Sequence, residues 1–157
     1  MEKVGLLPEE YFFSYEEYDY SVTIRRAGYK LYYIPTFVTY HKWGGSHRQQ
    51  DPKYIYIKYR SKLIFQQKFL PILLWPIWLS AFYLYAKFVA PWLFSRISAR
   101  KSGNVNGIVF ALNSAIKDHV RNGIMRLVEE DIVEFEKRLV KHGLYKCQRF
   151  NHIGMTS

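Results

Sequence analysis

Residues 11–46, YFFSYEEYDYSVTIRRAGYKLYYIPTFVTYHKWGGS, hold an acidic cluster (Glu16, Glu17, Asp19), a basic pair (Arg25, Arg26), Gly28, an apolar run closed by Pro35, and His41 followed by Gly44 and Gly45. The carboxylates stand where the first turn of a helix over 16–27 would put them. The arginines fall in its last turn, so each sign complements the macrodipole. Gly28 then occupies the position at which helices stop. Tyr29 to Ile34 is rich in aromatic and branched residues and predicts a strand ended by Pro35. Phe37 to Tyr40 predicts a second strand that delivers His41. A carboxylate at a helix start and a histidine at a strand end are both presented at element tips, the usual place for chemistry.

The order of these features resembles a known family. Val4-Gly5-Leu6, the pair Phe12-Phe13, Glu16-Glu17-x-Asp19, Arg25-x-x-Gly28-Tyr29, Tyr33-x-Pro35 and His41-x-x-Gly44-Gly45-Ser46 are similar to the second half of the catalytic domain of family 2 inverting glycosyltransferases. Within that family the resemblance is to the bacterial rhamnosyltransferase-like and galactofuranosyltransferase-like branch. It is close over 4–46 and looser to Lys68.

The resemblance implies an α/β fold: an incomplete C-terminal half of a GT-A glycosyltransferase domain, followed by mostly helical, membrane-associated segments. The divisions expected are 1–68 for the acceptor and catalytic half, 69–94 for an apolar membrane-associated segment and 95–157 for C-terminal helices. Glu17 lies on the family's general-base position, which takes the proton from the acceptor hydroxyl, with Glu16 and Asp19 in support. The usual residue there is aspartate, so the carboxylate of Glu17 reaches one methylene further. His41 matches a ligand of a divalent cation, Mn or Mg, held on the donor diphosphate in the intact enzyme. Trp43, Gly44, Gly45 and Ser46 match the turn over the substrate. The implied substrates are a nucleotide-diphospho-sugar and a glycan or lipid-linked acceptor.

The family's nucleotide-binding half carries an Asp-x-Asp metal motif, and none occurs in this sequence. The 157-residue polypeptide alone is therefore expected to lack transferase activity, with Met1 an internal start and a second chain or upstream segment supplying the missing half. Two readings from other classes stand beside this one: a non-enzymatic, membrane-bound interaction subunit, and a basic nucleic-acid-binding module. Taken one by one, a Glu-Glu pair opening a helix is a solvated first turn, and a histidine ending a strand is a hydrogen-bonded surface residue.

Charge and hydropathy bear on the choice. The formal net charge is +10, and between Lys42 and Lys101 the cations face one acid, Asp51. They bracket the most apolar stretch, Phe69 to Phe94, whose only charge is Lys87. That placement points to anionic lipid head groups and away from nucleic acid. As one helix the stretch would be about 39 Å long, enough for a hydrocarbon layer of roughly 30 Å. Pro71, Pro76 and Pro91, with cations on both flanks, favour a kinked segment lying in or dipping into the interface at the cytoplasmic face of a bacterial inner membrane. A single cysteine, Cys147, excludes an internal disulfide framework.

The remainder reads as helices. A moderately apolar one is expected from Ile108 to about Val120. An amphipathic one follows within 124–150, with acids early, cations late and Gly143 as its stop. Asp118 and His119 are adjacent on the first of these, so they point in different directions and make no catalytic pair.

Overall fold

The computed structural model describes residues 4–36, 38, 40, 51–98 and 104–144. In order, these residues form α1 (Glu16–Arg26), α2 (Pro52–Phe69), α3 (Trp75–Leu84), a π-helical turn (Tyr85–Val89), α4 (Ala90–Ser98), α5 (Val105–Asn122) and α6 (Glu129–Lys141). No strand occurs among the described residues, which corrects the α/β expectation. Tyr29 to Ile34 has the composition of a strand, but among the described residues no neighbouring segment pairs with it through ladder hydrogen bonds. A strand's preference is for a pleated, half-buried surface, not for an isolated extended chain. Leu31, Tyr32, Tyr33 and Ile34 are accordingly exposed. The predicted second strand overlaps Phe37 and Thr39, and His41 follows it; all three lie outside the described residues.

Local signals explain where the helices begin and end. Asp51 accepts a hydrogen bond from the Lys53 backbone N–H at 2.8 Å, and Pro52 sits in the first turn, where a missing N–H costs nothing. The Asn104 side chain accepts from the Gly107 N–H at 2.8 Å and caps α5. At the end of α1, Gly28 adopts φ 88°. Its N–H donates to the Arg25 carbonyl at 3.1 Å and that of Tyr29 to Ile24 at 3.2 Å, the paired bonds of a Schellman stop. Gly143 closes α6 the same way, through Gly143 to Val140 at 2.9 Å and Leu144 to Leu139 at 3.0 Å.

The core is the pairing of α2 with α5, with α6 packed across both. Pro52 faces Gly107 at one end, while Arg60 and Gln67 meet His119 further along, so α2 and α5 run in the same direction. The chain returns between them as α3, the π turn and α4. Pro91 accounts for that turn: its ring lacks an N–H and crowds the carbonyl four residues back, and one wider turn relieves the conflict without ending the helix. Phe82, Ala86 and Ala90, four residues apart, are buried. Gly107, Ala111 and Ala115, with the same spacing on α5, are buried as well. Small residues on both sides let these helices approach closely. A Cβ on Gly107 would lie 2.7 Å from Pro52 Cγ.

The opposite side of the returning helix is uncovered. Ile72, Leu73, Ile77, Leu84, Phe88 and Trp92 are each more than half exposed. The helix Trp75–Arg96 is long and apolar enough to cross a membrane, yet only 17% of its most apolar stretch is buried.

Candidate functional site

Two groups of polar side chains are candidates for chemistry, and they differ in how their charges are used. The first is the acid cluster of α1. It follows a strained turn: Ser14 and Tyr15 both have positive φ, 68° and 81°, each costing on the order of 1–3 kcal/mol for a residue with a Cβ. The surroundings hold the turn. The Phe13 carbonyl accepts from Ser61 Oγ at 3.0 Å, and the Tyr15 ring packs against Tyr18 and Phe65.

From that start the three acids take three environments. Asp19 is 2% exposed. It accepts from Tyr11 Oη at 2.7 Å and from Thr23 Oγ1 at 3.3 Å, and it pairs with Lys68 Nζ at 2.9 Å. Burial works against the Lys68 charge, but hydrogen bonds to Asp19 and Glu10 outweigh it and raise the pKa. Burial, then the bond to Asp19, pushes the Tyr11 phenol up as well. Asp19 thus ties α1 to the end of α2. Glu16 is half-buried, and its Oε2 accepts no hydrogen bond from the described residues. Glu17 is exposed in the first turn of the helix.

His41, Trp43, Gly44, Gly45 and Ser46 lie outside the described residues. Among the described residues no group of three or more histidine, cysteine or acidic side chains is arranged to hold a metal ion. Asp19 is committed to Lys68 and Tyr11, so the α1 acids alone do not fit a divalent cation.

The second group is buried between α2 and α5 and was not anticipated from the sequence. Arg60, 2% exposed, donates to His119 Nδ1 and to the Gly123 carbonyl at 3.1 Å. A guanidinium can only donate, so Nδ1 must offer its lone pair and the ring proton sits on Nε2, which donates to Gln67 Oε1 at 2.6 Å. His119 is therefore neutral; burial and the Arg60 charge push its pKa down to about 3. Asp118, its neighbour, turns elsewhere. It accepts from Tyr56 Oη at 2.9 Å and takes a two-pronged contact from Arg138, at 3.1 and 2.5 Å. Burial, then the adjacent carboxylate, raises the Tyr56 phenol. These contacts tie α2, α5 and α6 to one another, and within them only the buried Nε of Arg138 lacks a hydrogen-bond partner among the described residues, so this network holds helices together. A signal for it existed: Tyr56, Arg60, Ile64 and Gln67 share one face of α2 at spacings of four, four and three.

No family model, no curated protein and no solved structure matches this chain.

Proposed function

We propose that this chain is the membrane-seated, acceptor-side portion of an inverting glycosyltransferase, moving a sugar from a nucleotide-diphospho-sugar to a glycan or lipid-linked acceptor. The observation that carries the membrane half of this reading is the two-sided returning helix. One side packs on α2 and α5, and the other presents a continuous apolar strip. A crossing helix would drag the charged flanks of α2 and α5 into hydrocarbon. A helix lying in the interface immerses only the strip and leaves Lys58 and Lys62 of α2 and Arg96 at head-group level, facing anionic lipid.

The catalytic half rests on the ordered residue pattern and on the position of Glu17. Its carboxylate is exposed at a helix start that Asp19 and Lys68 anchor from beneath. A general base needs a fixed backbone and a free carboxylate, and Glu17 has both. The residues that would bind the nucleotide belong to another segment or chain, as does any metal.

The test is sugar transfer in membranes of the source cell, comparing the natural gene with Glu17→Gln. Loss of turnover by about 100-fold or more, with donor affinity unchanged, is expected. Unchanged turnover would remove the catalytic assignment and leave a membrane-bound interaction subunit. Vesicle flotation tests the other half: failure to float with anionic vesicles would remove the membrane seat.

A further inference from the structure

Beside the apolar strip, α2, α3 and the start of the π-helical turn line an open cleft of about 260 Å³ formed by Tyr59, Lys62, Trp78, Ala81, Phe82 and Tyr85. Four of the lining residues belong to the returning helix, so the cleft opens next to the membrane-facing surface. Its walls are aromatic. Tyr59 stacks on Phe82 with ring centres 5.6 Å apart, and Trp78 stacks on Phe82 at 5.2 Å. Lys62 is the single cation among them. Its Nζ lies 5.8 Å from the Tyr59 ring centre, 6.0 Å from Trp78 and 5.7 Å from Phe82.

No carboxylate pairs with Lys62 among the described residues, although on the same helix Lys53 pairs with Glu136 and Lys68 with both Glu10 and Asp19. Partial burial, then repulsion from Lys58, pushes the Lys62 pKa down. An ammonium in that position is short of negative charge, and the aromatic faces supply only part of it. The missing complement is an anion small enough for the cleft and joined to an apolar chain able to continue along Ile77, Leu84 and Phe88.

We infer that the cleft between α2 and α3 binds the phosphate group of a membrane amphiphile, with Lys62 Nζ on the phosphate oxygens and the lipid chain along the exposed face of α3 and α4. This rests on the membrane seat proposed above and not on the transferase chemistry. Phosphate on a lipid and free phosphate share the recognition chemistry, so the experiment separates them.

The test is amine acetylation of the full chain, quantified at each lysine, with vesicles of the phosphate-free lipid digalactosyldiacylglycerol, with the same vesicles containing phosphatidic acid, and with millimolar inorganic phosphate. Lys87, on the exposed face of the helix, reports membrane seating, and protection by both vesicles is expected. Lys62 labelling should fall about tenfold with phosphatidic acid once the lipid exceeds its Kd by that factor, and less than about twofold without it. Equal Lys62 labelling on the two vesicles, with Lys87 protected on both, overturns the phosphate site and leaves the membrane seat standing. An unprotected Lys87 overturns the seat and, with it, the lipid assignment. Protection of Lys62 by inorganic phosphate alone overturns the lipid as source.

Variants give a second reading. Lys62→Met should weaken binding to phosphatidic-acid vesicles by more than about tenfold, beyond the roughly fivefold expected for any one surface cation, and Lys62→Arg should retain most of it. A loss no larger than that of Lys117→Met, an exposed cation of α5, overturns the site.

Discussion

The α2–α5 interface and the first turn of α1 handle charge in opposite ways. Between α2 and α5, groups some sixty residues apart, such as Arg60 and His119, are buried and hydrogen-bonded to each other, to Gln67 and to the Gly123 carbonyl. In α1, three acids within four positions are split among a buried anchor, a half-buried carboxylate and an exposed one. Satisfied burial makes a polar group structural, however suggestive its chemistry. Exposure on an anchored backbone leaves a group free to act. By that criterion His119 is scaffold and Glu17 is the side chain available for function.

The largest test of this contrast is Arg60→Ala. It leaves His119 Nδ1 and the Gly123 carbonyl without their donor and opens a cavity where the long side chain was, so a loss of about 2–5 kcal/mol is expected. Chemical denaturation followed by circular dichroism measures it. A loss below about 1 kcal/mol would mean that the network contributes little and that the apolar contacts alone hold α2 on α5.

Gly107→Ala probes the same interface where it is apolar. The added methyl would sit 2.7 Å from Pro52 Cγ and 2.6 Å from Asn104 Nδ2. The Pro52 ring is part of the first turn of α2 and cannot swing away, so overpacking of about 1–3 kcal/mol is expected. A neutral or stabilising result, from the better helix propensity of alanine, would show that the start of α5 moves freely against α2.

His119 adds a pH dependence. Its folded pKa, about 3, lies below the unfolded value of 6.5, so between the two the unfolded chain binds a proton that the folded chain does not. Stability therefore rises with pH across that window and falls as pH drops from 6.5 towards 3, with a slope of at most about 1.4 kcal/mol per pH unit. Carboxylates titrate in the lower part of the same range, so the informative quantity is the difference between wild type and His119→Gln. That difference should slope between pH 6.5 and 5 and be flat above. A flat difference throughout would mean that His119 charges readily in the folded protein.

These effects also show why some features could be read from sequence and others could not. The limits of α1 and the stop at Gly143 follow from contacts within one or two turns: charge against the macrodipole and glycine at positive φ. Such signals are local and therefore legible. Tyr29 to Ile34 failed as a strand because composition states what a strand prefers, while a strand exists only if another segment pairs with it. The Arg60–His119 contact is non-local in the same sense, though the inward register of Tyr56, Arg60 and Gln67 marked the face. Of the expected site, the different environments of Glu16, Glu17 and Asp19 depend on Tyr11 and Lys68 folding around them. No spacing rule within the cluster announces that. The length and apolarity of the stretch were legible by hydropathy, but its division by Pro71 and Pro91 into a turn, a helix and a π turn depends on packing against α5.

The smallest expected effect falls on Glu17, and it decides how the two regions relate. Glu17→Gln removes an exposed carboxylate with only a favourable interaction with the helix start to lose, so stability should change by less than about 0.5 kcal/mol. Asp19→Asn, three-way bonded and buried, should cost about 1–3 kcal/mol. Thermal unfolding of both variants beside wild type gives the comparison. A Glu17 variant as damaged as the Asp19 variant would make the whole cluster scaffold, and the loss of turnover expected for Glu17→Gln would then have a trivial cause. An unperturbed Glu17 variant makes any loss of transfer a statement about proton abstraction. Together the two variants assign Asp19 to holding the helix and Glu17 to what the helix holds out.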